Sequence, residues 1–155
     1  MRDVYFSSKL GNPLSFANSS EKAILREIPL MKLNTRLIYL SGILLGLSAV
    51  ILGALGAHAL EKHLTANQLD SFETAVRFQM YHALFLLFLG KAWETKAHRL
   101  GQTAIALVIL GTLLFSGSIY LLVLSSVPVG IVTPIGGMLL IVGWGVTGRW
   151  LWKTS

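Results

Sequence analysis

Three of the four histidines, His58, His63 and His82, fall between Gly53 and His82, together with Glu61 and Glu73. Imidazole nitrogens and carboxylate oxygens can ligate zinc. The chain has no cysteine, so thiolate sites, disulfides and cysteine nucleophiles are excluded. His58-x4-His63 is not the i,i+4 spacing that puts two ligands on one helix face. No metal and no cofactor are therefore expected. The spacing favours another use: His58 and His82 hydrogen-bond across two antiparallel helices and pin the connection between them, with Glu73 nearby. Ionisable groups inside a membrane hint at function, but at its edge their penalty is small. A proton- or metal-linked relay at a His58/His82 rim is the alternative.

Gln79, Tyr81 and His82 form a second polar group, expected where a helix enters the bilayer. Interhelical hydrogen bonds there are worth about 0.6 kcal/mol each. Tyr81 equally suits an interfacial anchor. Ser116, Ser118 and Tyr120 suit close packing, with serine hydroxyls bonded to the preceding turn. No serine has a visible base and orienting acid, which argues against a hydrolase triad. No GxxxxGK[ST] or GxGxxG phosphate loop occurs. The chain is read as no enzyme.

These residues must be positioned by membrane helices. The 155 residues are 54% hydrophobic and 13% charged, too few charges to coat a soluble surface. Four apolar runs, at about 37–57, 78–93, 103–124 and 134–152, approach the ~20 residues needed to cross hydrocarbon. The first is longer than a signal-peptide core, so it reads as a retained span. Met31, with Lys32 and Arg36, reads as a second start. Residues 1–30 then form a disordered N-terminal extension, either an over-extended gene start or a cytoplasmic tail, and 31–155 the membrane domain.

Thr65-x-x-Gln68 fits a capping box. Beyond it Leu69, Phe72, Val76 and Met80 share a face, while Glu73 and Arg77 make an i,i+4 pair. An amphipathic surface helix that bends or runs directly into the second span follows from this pattern. Gly101 reads as a break between spans. Gly42, Gly46 and Gly53 make one smooth packing stripe. Gly117 and Gly137 are further packing positions, and Gly143, Gly145 and Gly148 a second small-residue surface. Trp144, Trp150 and Trp152 include interfacial anchors.

Basic residues set the orientation. Lys32, Arg36, Lys91, Lys96, Arg99, Arg149 and Lys153 fall on one side, against Lys62 and Arg77 on the other. Both termini are then cytoplasmic. The net charge of +6 belongs to this pattern rather than to nucleic acid binding.

Gly53-Ala54-Leu55-Gly56-Ala57-His58, then Leu69-x-x-Phe72-Glu73-Thr74-Ala75-x-x-Phe78-Gln79-Met80-Tyr81-His82-Ala83-Leu84, resembles the signature of domain-of-unknown-function family 423, the YgdD/YwdK-like small four-span membrane proteins. Leu114-Phe115-Ser116-Gly117-Ser118-x-Tyr120 and Thr133-Pro134-x-Gly136-Gly137 with Gly143-Trp144 also resemble its pattern. The similarity covers about Met31 to Trp152. It implies a multi-pass protein of the cell membrane, the inner membrane in a bacterium, with no established activity. The resulting expectation is an all-α, integral membrane four-helix bundle with an amphipathic surface helix before the second span. Its partners are the lipid bilayer and either another membrane protein or further copies of itself. Its role is structural or partner-binding, with a small proton- or metal-linked transporter as the alternative.

Overall fold

The computed structural model describes residues 34–125 and 127–155. The expected N-terminal extension, 1–30, and the second start at Met31 lie outside the described residues. The described residues form an all-helical, integral membrane four-helix bundle: α1 Thr35–Leu55, α2 Ala66–Lys96, α3 Arg99–Ser125 and α4 Val132–Thr154. Each helix packs on its neighbour in sequence, α1 on α2, α2 on α3, and α3 on α4.

Local chemistry explains the ends. Asn34 caps α1, its side chain accepting from the Arg36 backbone N–H at 3.0 Å. A single π-helical turn, Gly56–Leu60, closes α1 and carries His58. Thr65 and Gln68 form the expected capping box at the start of α2. No glycine or proline interrupts α2 before Gly90, so it runs on for 31 residues. The amphipathic segment is therefore the first three turns of the second long helix. Phe72 and Ala75 are buried there, and Asp70, Glu73 and Arg77 are exposed. Of the expected Leu69–Phe72–Val76–Met80 face, Phe72 is buried and the other three are half-buried, and the face extends to Ala75 and Gln79. Arg77 pairs with Asp70 at 3.8 Å rather than with Glu73, and also donates to Thr74.

Close backbone approach holds the helices together. A Cβ on Gly42 would lie 2.9 Å from the Leu87 side chain. On Gly136 it would run into the backbone of Phe115. Gly101 is not a break. It is buried in the first turn of α3, where a Cβ would come within 2.5 Å of the Trp150 ring. Trp150 is wholly buried, and its Nε1–H donates to the Lys96 carbonyl at the end of α2. Trp150 thus cements three helix ends instead of anchoring in the interface. Trp152, 88% exposed, keeps an anchor's position.

The other packing glycines divide. Gly46 meets Ala83, Gly53 meets Val76, and Gly137 makes ordinary contact with the Phe115 ring. Gly117 meets nothing within 4 Å, so its expected packing role is not seen among the described residues. Gly143 packs against Val108, whereas Gly145 and Gly148 face open space.

Two helical stretches, Thr35–Leu60 and Arg99–Ser125, are long and apolar enough to cross a membrane by composition alone. α2 and α4 fall short for a physical reason. Gln79, Tyr81 and His82 sit at the centre of α2, and α4 carries Gly136, Gly137, Gly143, Gly145 and Gly148.

Candidate functional site

Gln79 and His82 lie halfway along α2, and both are buried, at 5% and 6% exposure. Their neighbours also come from mid-height. Leu45 and Ser48 are midway along the helical stretch Thr35–Leu60, and Trp144 is midway along α4. Within the bundle the polar group is therefore not at a helix end. It forms a layer through the centre of the bundle. Before Phe78, α2 continues inside the bundle to Phe72 and beyond.

Gln79 joins three helices. Its Nε2 donates to the Leu45 carbonyl (2.9 Å) and to Ser48 Oγ (2.7 Å) on α1. Its Oε1 accepts from the Tyr120 hydroxyl on α3 (3.0 Å). Tyr120 is fixed in turn by the Phe72 ring, 5.1 Å away centroid to centroid. Ser116 adds a cross-helix bond to the Ala75 carbonyl (2.8 Å), not the bond within its own helix that its sequence suggested. Ser118 does bond its preceding turn, at Phe115, and also meets Thr133 on α4 at 2.6 Å.

His82 supplies the link to α4. Its Nδ1 lies 2.8 Å from the Phe78 carbonyl, which only accepts. Its Nε2 lies 3.3 Å from Trp144 Nε1–H, which only donates. The ring is therefore neutral with its proton on Nδ1. Trp144 also stacks on Phe85 at 3.8 Å and 5°. Both nitrogens of His82 are committed, and His58 is exposed on the π turn. The cross-helix His58–His82 pair is not formed; His82 pins α2 to α4 instead of to α1. No group of three or more metal-ligating residues converges among the described residues. Glu73 and Tyr81 are exposed and outside the network.

Sequence reasoning read Trp144 as an interfacial anchor rather than the partner of His82, and it missed Ser48 and a tie at the other end of the bundle. There Tyr39 lies over Gly90 and donates to Glu94 at 2.9 Å, while Lys91 donates to the other carboxylate oxygen at 2.7 Å. These two bonds, that from Lys91 first, hold the Glu94 carboxyl below the usual carboxylate range. The available signal was the i,i+3 spacing of Lys91 and Glu94. Tyr39, 55 residues away from Glu94, could be paired with it only through the fold.

Residues 52–137 match the family described as "Protein of unknown function (DUF423)". This chain belongs to that family. A UPF0382 membrane protein of Staphylococcus aureus is 40% identical over 110 residues, covering 70% of this chain and 89% of the relative. One from Staphylococcus saprophyticus is 43% identical over 104 residues, 66% and 86% of the two chains. The UPF0382 inner membrane protein YgdD of Escherichia coli K12 is 36% identical over 102 residues, 65% and 78%. No solved structure matches. The family is one of membrane proteins without assigned activity, and this chain is a membrane protein. The matched segment contains both Gln79 and His82, together with Ser116 and Tyr120.

Proposed function

We propose that the chain is a structural or partner-binding component of the membrane, not an enzyme, built as four spans. One observation carries this. Every buried side-chain nitrogen and oxygen among the described residues has a hydrogen-bond partner inside the protein. The central polar groups serve helix–helix contact and leave no buried donor or acceptor aimed at a substrate. Four spans are supported by the sequential packing and by α2 and α4, which at ~1.5 Å per residue exceed the ~30 Å hydrocarbon thickness. The basic residues support cytoplasmic termini, and the E. coli relative's name supports the inner membrane in a bacterial host.

Transport is the second reading, favoured by the mid-height position of Gln79 and His82. The purified protein in liposomes, loaded with a pH-sensitive dye, separates the two. The structural reading expects proton flux no greater than in protein-free liposomes. A flux that His82→Ala abolishes would overturn it in favour of transport.

A further inference from the structure

The central polar groups all have partners with one exception. The Tyr81 hydroxyl, on a side chain 60% exposed at the middle of α2, has no hydrogen-bond partner among the described residues. Its side chain faces outward, away from Gln79 and His82. In hydrocarbon such a hydroxyl is costly unless something else covers it.

Tyr81 belongs to a pattern. Arg77, Tyr81, Leu84, Phe88 and Lys91 follow one another at spacings of four, three, four and three, and all are exposed. That spacing makes a straight seam, the one along which two helices pack at about +20° in membranes. The outer face of α1 is equally apolar, with Leu40, Leu44, Leu47 and Ile51 exposed. It differs in having no unpaired polar group. Ser41 and Ser48 donate to carbonyls of their own helix. The α1 face suits lipid; the α2 seam asks for a partner.

We propose that this partner is a second copy of the chain, the two α2 helices packing side by side about a two-fold axis along the membrane normal. The inference rests on reading the chain as partner-binding. Two observations single out self-association. A tyrosine hydroxyl both donates and accepts, so Tyr81 from each copy satisfies the other across the axis. Beyond it, Glu73 carries no ion pair among the described residues, one turn before Arg77. Side chains lean toward the helix N-terminus, so Arg77 of one copy reaches the level of Glu73 in the other, twice by symmetry, exchanging its 3.8 Å contact with Asp70 of its own helix. Lys91 lies farther along, where Glu94 of its own chain already neutralises it.

The absence of native cysteine makes the test clean. Leu84→Cys and Leu47→Cys variants, both at exposed positions, are oxidised in intact membranes and resolved by mass. Leu84→Cys is expected to form a disulfide-linked homodimer and Leu47→Cys to stay monomeric. Tyr81→Phe should weaken self-association roughly threefold, the worth of one interhelical hydrogen bond. Glu73→Arg or Arg77→Glu alone should lower the Leu84→Cys yield, and the two together should restore it. Leu84→Cys joining only to a chain of another mass would overturn the second copy while sparing the partner-binding reading. A chain monomeric at native expression, by single-molecule bleaching and without any Leu84→Cys adduct, would sink both.

Discussion

Gln79 ties α2 to α1 and α3 through one amide, so it should be the most sensitive polar position. Gln79→Ala strips the Tyr120 hydroxyl of its acceptor and leaves a void. A loss of about 2 kcal/mol is expected in denaturant unfolding followed by tryptophan fluorescence. Tyr120→Phe removes only one bond and should cost about 1 kcal/mol or less. Glycines offer a second contrast. Gly136→Ala drives a methyl into the Phe115 backbone and should cost about 1–3 kcal/mol, whereas Gly117→Ala meets nothing and should gain up to about 1 kcal/mol of helix propensity. The same unfolding assay ranks the pair. Sequence alone named Gln79 and His82 as cross-helix bonders, but not their partners. Ser48 looks like any serine in an apolar helix, and only the fold brings it 2.7 Å from Gln79. Gly136 and Gly137 could not be told apart, because which one meets a backbone depends on how α4 is rotated.

At the scale of elements, α2 organises the described bundle. The capping box and the uninterrupted run after Thr65 made its start legible. Its burial inside the bundle was not legible, because hydropathy cannot distinguish an exposed polar segment from one satisfied by neighbouring helices. The His58–His82 pairing failed for the same reason: a central His82 is out of step with a π turn at the helix end. The opposite end of α2 is tied to α1 by Tyr39, Lys91 and Glu94. Since the Glu94 carboxyl is held below its ordinary range, its contribution is complete above that range. It is lost as pH falls through the depressed value. Thermal stability should therefore drop on acidification below about pH 4, and Glu94→Gln should be less stable at neutral pH with that acid step gone. A pH series of melting curves on both proteins checks it.

For the whole molecule, the sequence carried the fold class because composition, apolar run length and glycine spacing all pointed the same way. The family match rests on the segment that contributes Gln79, His82, Ser116 and Tyr120, the residues that hold the described helices together. The central claim is that all four helices cross the membrane. It is tested most directly by single-cysteine variants labelled in intact cells with a membrane-impermeant maleimide. Ala59→Cys, after α1, and Val129→Cys, between α3 and α4, should label from outside. Ala97→Cys, between α2 and α3, should label only after the cells are opened. Labelling of Ala97→Cys in intact cells, or protection of Val129→Cys, would contradict the four-span account.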